Sequence, residues 1–362
     1  IFILYAVSYL KNMGLNPDFE DYSIKKNGQK NFEEFSVSQN YDLIVFYSVF
    51  LSSKTDIMAR EIISRKNLRT KFAFLSTEPT ASPEKFVRED SYVVRGEPEI
   101  TLYRLIDALI TGKDFALIRG LTFHRNGKVI SSPQADLIEN LDLLPFPDRS
   151  ILDKSVYYNP KFSVFPVTTV LTSRGCSYRC RFCIPNSLCF SREIEYKRFN
   201  NKKPPVLRRS NKNIIEEMLI LRQEGYKAVT FLDDQFVWDE NETIELCRLI
   251  EPLGFQWTCL VRADRLQNTE MLLAMAKAGC ISIDIGVESF DDKILADIRK
   301  DCKRTTIHSA IQKVLQAGIE PKLNILIGAS EFETEETINS TFNEIKKYNV
   351  DIVMFSICTP FP

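Results

Sequence analysis

From Thr168 onward, short apolar runs alternate with longer amphipathic segments, and this alternation narrows the fold before any motif is considered. Runs at Thr168 to Thr172, Ala228 to Leu232, Trp257 to Val261, Ile281 to Ile285, Leu323 to Ile327 and Ile352 to Ile357 predict strands. Asn213 to Gln223, Glu240 to Ile250, Thr269 to Ala278, Thr305 to Ala317 and Glu333 to Lys347 predict helices, several closed by Gly225, Gly254, Gly279 or Gly318. Six βα units in series require a parallel sheet. Closing or partly closing that sheet gives a barrel whose active site lies at the C-terminal strand ends.

The first half alternates on a smaller scale. Asp42 to Phe50, Lys71 to Leu75 and Ser91 to Val94 read as strands, and Thr55 to Ser64 and Pro98 to Ile110 as helices, the latter stopped by Gly112. Asn126-Gly127 between two strand-like flanks predicts a type I′ hairpin over Leu121 to Ser131. Asp136 to Asn159 has no period and reads as a linker. Two domains fit the 362 residues. The 47 basic and 48 acidic residues leave a net charge of -1, so no overall field favours nucleic acid or an anionic membrane. No apolar run reaches the roughly 18 residues needed to span a bilayer. The chain opens on Ile1 and shows no signal-peptide order, which predicts a piece of a cytoplasmic protein, and its end after Thr359 falls where a domain is expected to continue.

The nine cysteines all lie at or after Cys176, which argues against a disulfide framework and for a reducing compartment. Cys176, Cys180 and Cys183 form a C-x3-C-x2-C run in one loop after the first barrel strand, with Gly175 letting the chain turn. An iron–sulfur cubane takes one thiolate per iron, so three cysteines leave one iron open. That iron suits chelation by the amino and carboxylate groups of a cofactor's methionine end. Two other readings stay open on spacing alone: a zinc site or a closed four-cysteine cluster, each using Cys189 as the fourth ligand. Cys247, Cys259, Cys280, Cys302 and Cys358 read as small core residues.

With Phe182 before its last cysteine, the loop resembles that of the radical S-adenosylmethionine (SAM) superfamily. Phe231-Leu232-Asp233-Asp234-Gln235-Phe236, Arg262-Ala263-Asp264 and Gly286-Val287-Glu288-Ser289 are similar to segments of the branch with an N-terminal cobalamin-binding-type domain. So are Val94-Arg95-Gly96-Glu97-Pro98-Glu99 and Leu143-Leu144-Pro145-Phe146-Pro147. The resemblance implies an α/β chain with a Rossmann-like (flavodoxin-like) domain over 1-135, truncated at its start. A linker over 136-165 and a (βα)6 partial TIM barrel over 166-362, truncated at its end, would follow.

It further implies a [4Fe–4S] cluster on Cys176, Cys180 and Cys183, and SAM cleaved to a 5′-deoxyadenosyl radical. Phe182, Asp233, Asp234, Arg262, Glu288 and Gly328 become candidate contacts for SAM or substrate. A small-molecule substrate, an electron donor such as flavodoxin or ferredoxin, and methyl transfer, cyclisation or rearrangement come with the same resemblance. A tRNA methylthiotransferase is the competing enzyme reading, weakened because no cysteine precedes Cys176.

Cobalamin stays an open third cofactor. The branch's G-G-P-H appears as Leu75-Ser76-Thr77-Glu78, and neither His124 nor His308 sits in a D-x-H-x-x-G motif; both read as ordinary surface residues. The G-x-P-G-E-T segment after the fifth strand appears as Gly328-Ala329-Ser330-Glu331-Phe332-Glu333-Thr334, without its Pro-Gly. Asp239 and Ser210 read as helix caps. The basic stretch Lys197, Arg198, Lys202, Lys203, Arg208, Arg209 and Lys212 reads as a solvated loop rather than an RNA contact.

Overall fold

The computed structural model describes residues 1–22, 24, 25, 28, 31, 32, 34, 35 and 41–359. Two compact units emerge, Ile1–Val156 with Pro185–Pro205, and Tyr157–Ile184 with Val206–Pro362.

The first unit is built on a five-stranded sheet ordered β1-β2-β3-β4-β5, with β1 (Leu43–Tyr47), β2 (Lys71–Leu75), β3 (Ser91–Val94), β4 (Leu121–Arg125) and β5 (Lys128–Ser131). β1, β2 and β3 are parallel, whereas β4 and β5 pair antiparallel. Period-two alternation in β2 sends Ala73 and Leu75 into one core and Phe72 and Phe74 into another, so the sheet is covered on both faces. The first core packs under α1 (Phe2–Asn12) and α4 (Pro98–Thr111); α2 (Ser53–Lys66) lies against the second. A short α3 (Thr77–Ala81) follows β2. At the hairpin Asn126 and Gly127 both adopt positive φ, as a type I′ turn demands.

The second unit carries the barrel. Six parallel strands stand in the order β13-β12-β11-β10-β9-β6: β6 (Val167–Val170), β9 (Ala228–Phe231), β10 (Gln256–Arg262), β11 (Cys280–Glu288), β12 (Glu320–Ile327) and β13 (Ile352–Ile357). Each main strand neighbours its predecessor, the winding of a (βα) barrel left open between its first and last strands. A small antiparallel pair, β7 (Ser173–Arg174) with β8 (Leu207–Arg208), sits after β6.

The helices are α6 (Asn211–Gln223), α7 (Glu240–Ile250), α8 (Thr269–Lys277), α9 (Asp292–Asp297), α10 (Arg304–Gln316) and α11 (Glu335–Ile345). Ser210 caps α6 and Asp239 caps α7, each through its side-chain oxygen. Val261, Ile283, Ile285, Val287, Leu323 and Ile325 point to the helices and form the core with Trp257, Met271 and Ile307. The opposite strand face carries Thr258, Arg262, Asp284, Gly286, Glu288 and Lys322, by the same period of two.

Gly279 joins α8 to β11 at φ +92°, and a Cβ there would overlap the Phe255 carbonyl oxygen. Gly279→Ala is expected to cost ~1–3 kcal/mol from backbone strain alone, with the clash in addition. Its urea midpoint is the check.

Three expectations need correction. The segment Ser187–Asn200 is a helix, α5, and belongs to the first unit; it holds Lys197 and Arg198, so the basic stretch is not one solvated loop. Within that stretch Lys197 and Lys203 pair with Glu193, Arg198 with Glu195, Arg208 with Glu242 and Arg209 with Glu217, and Arg209 is buried. Cys302 and Cys358 are only half-buried, unlike Cys247, Cys259 and Cys280, because both fall outside the regular elements. His308 is half-buried rather than a surface residue, with its Nε2 3.3 Å from a Glu344 oxygen. Among the described residues no helix is long and apolar enough to cross a membrane.

Candidate active site

The C-terminal ends of the barrel strands gather the groups singled out in the sequence. Asp233 and Asp234 follow β9, Arg262 ends β10, Glu288 ends β11 and Gly328 follows β12. The cysteine loop starts beyond β7, where Gly175 turns at φ +98°.

Asp233 anchors the start of that loop. One carboxylate oxygen accepts the Thr172 amide (2.9 Å), the Ser173 amide (2.5 Å) and the Ser173 hydroxyl (2.7 Å). Its other oxygen is buried with no hydrogen-bond partner among the described residues. Burial outweighs the three hydrogen bonds and pushes the Asp233 pKa up to about 7. A carboxyl raised in the folded state holds its proton where the unfolded chain has lost it. Its stabilising contribution is therefore full below the unfolded value of 3.8 and is lost as pH rises through about 7. Asp233→Asn, which keeps an acceptor but cannot ionise, is expected to flatten the fall of Tm between about pH 4 and 7. Thermal melts across that range are the check.

Arg262 is held from several sides. Its Nε donates to Asp264 at 2.9 Å, one Nη to the Lys300 carbonyl at 2.5 Å and the other to Cys180 Sγ at 3.4 Å. The guanidinium carbon lies 3.7 Å from the Tyr178 ring centroid, a stacked cation–π contact. The Arg262 amide donates to the buried Gln235 side chain at 3.0 Å. Tyr178, inside the cysteine loop, donates its hydroxyl to Asp264 at 3.3 Å and accepts from Arg265 Nε at 2.7 Å. Farther along, the Arg181 amide donates to the Ile298 carbonyl at 2.8 Å. The loop is thus strapped to the end of β10 and to the segment after α9.

Glu288 sits at φ +66°, a left-handed conformation for a residue with a side chain, and accepts from buried Lys300 at 2.9 Å. Gly286 is required beside them: a Cβ there would lie 2.6 Å from Lys300 Nζ and 2.9 Å from a Glu288 oxygen. The Lys300 ammonium also lies 5.8 Å from the Phe182 ring centroid. Farther down the same strand face, Asp284 pairs with Lys161 and, at 2.9 Å, with Lys322. Asp234 is half-buried after β9. The Gly328 amide, at φ +82°, donates to Glu333.

Tyr178, Arg265 and Lys300 are not among the candidates drawn from the sequence, and Asp264 enters there only as part of the Arg262-Ala263-Asp264 segment; nothing in the spacing marks Lys300, which reaches the site from beyond α9.

The fit to a cluster rests on the donor set. Cys176 and Cys180 are half-buried and Cys183 is exposed, all on one short loop, and a guanidinium faces one sulfur. Among the described residues no three His, Cys, Asp or Glu side chains converge on a single ion site. A cubane makes a different demand, one thiolate for each of three irons, and the three cysteines suit it. Cys189 is buried on α5, in the other unit.

At the C-terminal ends of β1 to β3, Ser76 stands buried at φ 90°, ψ -154°, a region that only glycine enters freely. The chain follows there a backbone path suited to glycine while carrying a side chain. Of the histidines, His124 is on β4 of the first unit and His308 on α10 of the second.

Residues 170–345 match the radical SAM superfamily model. An uncharacterized methyltransferase of Pyrococcus horikoshii is 34% identical over 289 residues, covering 78% of this chain and 59% of the relative. An anaerobic magnesium-protoporphyrin IX monomethyl ester cyclase of Rubrivivax gelatinosus is 26% identical over 279 residues, covering 75% of this chain and 47% of the relative. The cobalamin-dependent SAM radical enzyme OxsB, solved with aqua-cobalamin and SAM bound, superposes with a TM-score of 0.77 at 18% identity, over 98% of this chain and 50% of that one. The chain therefore spans about half the length of these proteins. It belongs to the radical SAM superfamily, whose cofactors are a [4Fe–4S] cluster and SAM, and it has the α/β fold with a partial barrel of a cobalamin-dependent member.

Proposed function

We propose that this chain is the core of a radical SAM enzyme of the methyltransferase or cyclase type, acting on a small molecule. The observation that carries the reading is the placement of Cys176, Cys180 and Cys183 on one loop at the C-terminal strand ends of the barrel, where Arg262 meets Cys180. A cluster bound there would supply the single electron that splits SAM into methionine and a 5′-deoxyadenosyl radical.

The chain's own residues do the rest by position. Cys176, Cys180 and Cys183 hold the irons. Asp233 fixes the strand exit that leads into their loop, and Phe182 and Gly328 present backbone for an adenosine moiety. Glu288, held by Lys300, and Asp234 offer carboxylates to hydroxyl or ammonium groups. Methyl transfer is favoured over cyclisation by the higher identity to the Pyrococcus relative. An electron donor of flavodoxin or ferredoxin type belongs to the same reading.

The test is anaerobic reconstitution with iron and sulfide, then incubation with SAM and dithionite. The expected products are 5′-deoxyadenosine and methionine, detected by mass spectrometry and absent from the Cys180→Ala variant. A protein that binds its cluster and makes no 5′-deoxyadenosine contradicts the proposal.

A further inference from the structure

Each of the three guanidinium nitrogens of Arg262 already donates to a protein group. Its three nitrogens serve Asp264, Lys300 and Cys180, its face is stacked on Tyr178, and it is 5% exposed. The residue is also fixed from behind, because its amide takes the Gln235 carbonyl oxygen while Gln235 donates to the Val237 carbonyl at 2.7 Å. A guanidinium kept charged, rigid and out of water is an effective donor to an anion. The sulfur it meets is that of Cys180, the middle cysteine of the loop, which would be a thiolate when bound to a cluster iron.

We infer that Arg262 is a positioning residue that sets the reduction potential of the cluster through its hydrogen bond to Cys180 Sγ, instead of binding SAM directly. The inference rests on the reading of the loop as cluster-binding. The reasoning is electrostatic. One-electron reduction adds negative charge to the cluster, and a fixed positive charge donating to one of its sulfurs stabilises the reduced form more than the oxidised form. Arg262 therefore raises the potential and eases electron entry. Asp264 and Tyr178 aim the fork, and Tyr178 also carries the constraint into the loop, two residues before Cys180.

The experiment is a potentiometric titration of the reconstituted protein followed by electron paramagnetic resonance, with SAM affinity read in the same samples from the change SAM makes to the spectrum. Arg262→Gln, which removes the charge, is expected to disfavour reduction about tenfold, a shift of about 59 mV to more negative potential for a one-electron couple. Its SAM affinity is expected to stay within about threefold of the wild type, a change small beside that tenfold effect. Arg262→Lys, which keeps charge without the planar fork, is expected to recover part of the shift, and it decides the matter if the Gln variant does not fold. Unchanged potentials in both variants, or an unchanged potential with lost SAM affinity, overturn the inference and return Arg262 to a ligand contact. A wild-type protein that takes up no cluster overturns the functional proposal and this inference together, so the two failures are distinguishable.

Discussion

Cys176→Ala, Cys180→Ala and Cys183→Ala are each expected to abolish cluster binding and SAM cleavage, while Cys189→Ala leaves both intact. The difference follows from the chemistry of the loop. Three thiolates, one per iron, are the whole protein contribution to a cubane with an open iron, so removing one leaves an iron without a ligand and exposes the cluster to loss. Cys189 lies buried on α5 in a different compact unit from the loop, as a small apolar side chain. Iron and sulfide analysis of the four purified variants is the measurement. A Cys189→Ala protein that loses its metal would favour the closed-cluster or zinc reading.

Arg95→Leu is expected to destabilise the first unit by about 3–5 kcal/mol, the cost of stranding a buried charge. Arg95 is fully buried, and its guanidinium spans Glu195 at 3.1 and 3.2 Å, the Thr122 hydroxyl at 2.6 Å and the carbonyls of Leu121, Ser132 and Pro133. Removing it leaves the Glu195 carboxylate, among the described residues, with the Ala135 amide at 3.2 Å and Arg198 at 3.3 Å, and takes the 2.6 Å donor from the Ser132 carbonyl, while the Leu121 and Pro133 carbonyls keep the Ser132 and Gly120 amides.

The double variant Arg95→Leu with Glu195→Leu is expected to recover much of the loss, because replacing a buried pair by apolar groups removes both desolvation penalties. Urea unfolding of the two single variants and the double variant closes the cycle. A cost for Arg95→Leu within that of a surface change, about 0.5 kcal/mol, would contradict the assignment.

β2, β3, β9, β10, β11 and β12 were legible because each buries apolar side chains, and β13 because 352–355 is an unbroken apolar run. Ile352–Ile357 and the helix Glu240–Ile250 match their predicted ends, and the Asn126-Gly127 turn named its hairpin. Helix α5 was not legible. Its buried residues include Ser191, Arg192, Glu193 and Glu195, so no apolar stripe marks it. Those charges are buried through partners far off in sequence: Arg95 takes Glu195, and Glu97 lies 3.4 Å from Arg192. Arg95 and Glu97 were visible as part of a motif, but periodicity carries no sign of which charges will be paired.

The site divides in the same way. The strand-end positions of Asp233, Arg262 and Glu288 could be read from the strand pattern, whereas their contacts could not. Asp233 turns to the amides of Thr172 and Ser173, Arg262 to a cysteine and Glu288 to Lys300. Each pairing depends on where loops from different strands meet, which only the fold decides.

The most direct test of the open iron is the electron paramagnetic resonance spectrum of the anaerobically reconstituted, reduced protein with and without SAM. A cluster signal that shifts when SAM is added is the expected result, since in the proposed reading Cys176, Cys180 and Cys183 leave one iron open to SAM. A cluster signal that ignores SAM, or a protein that takes up no iron, would contradict it.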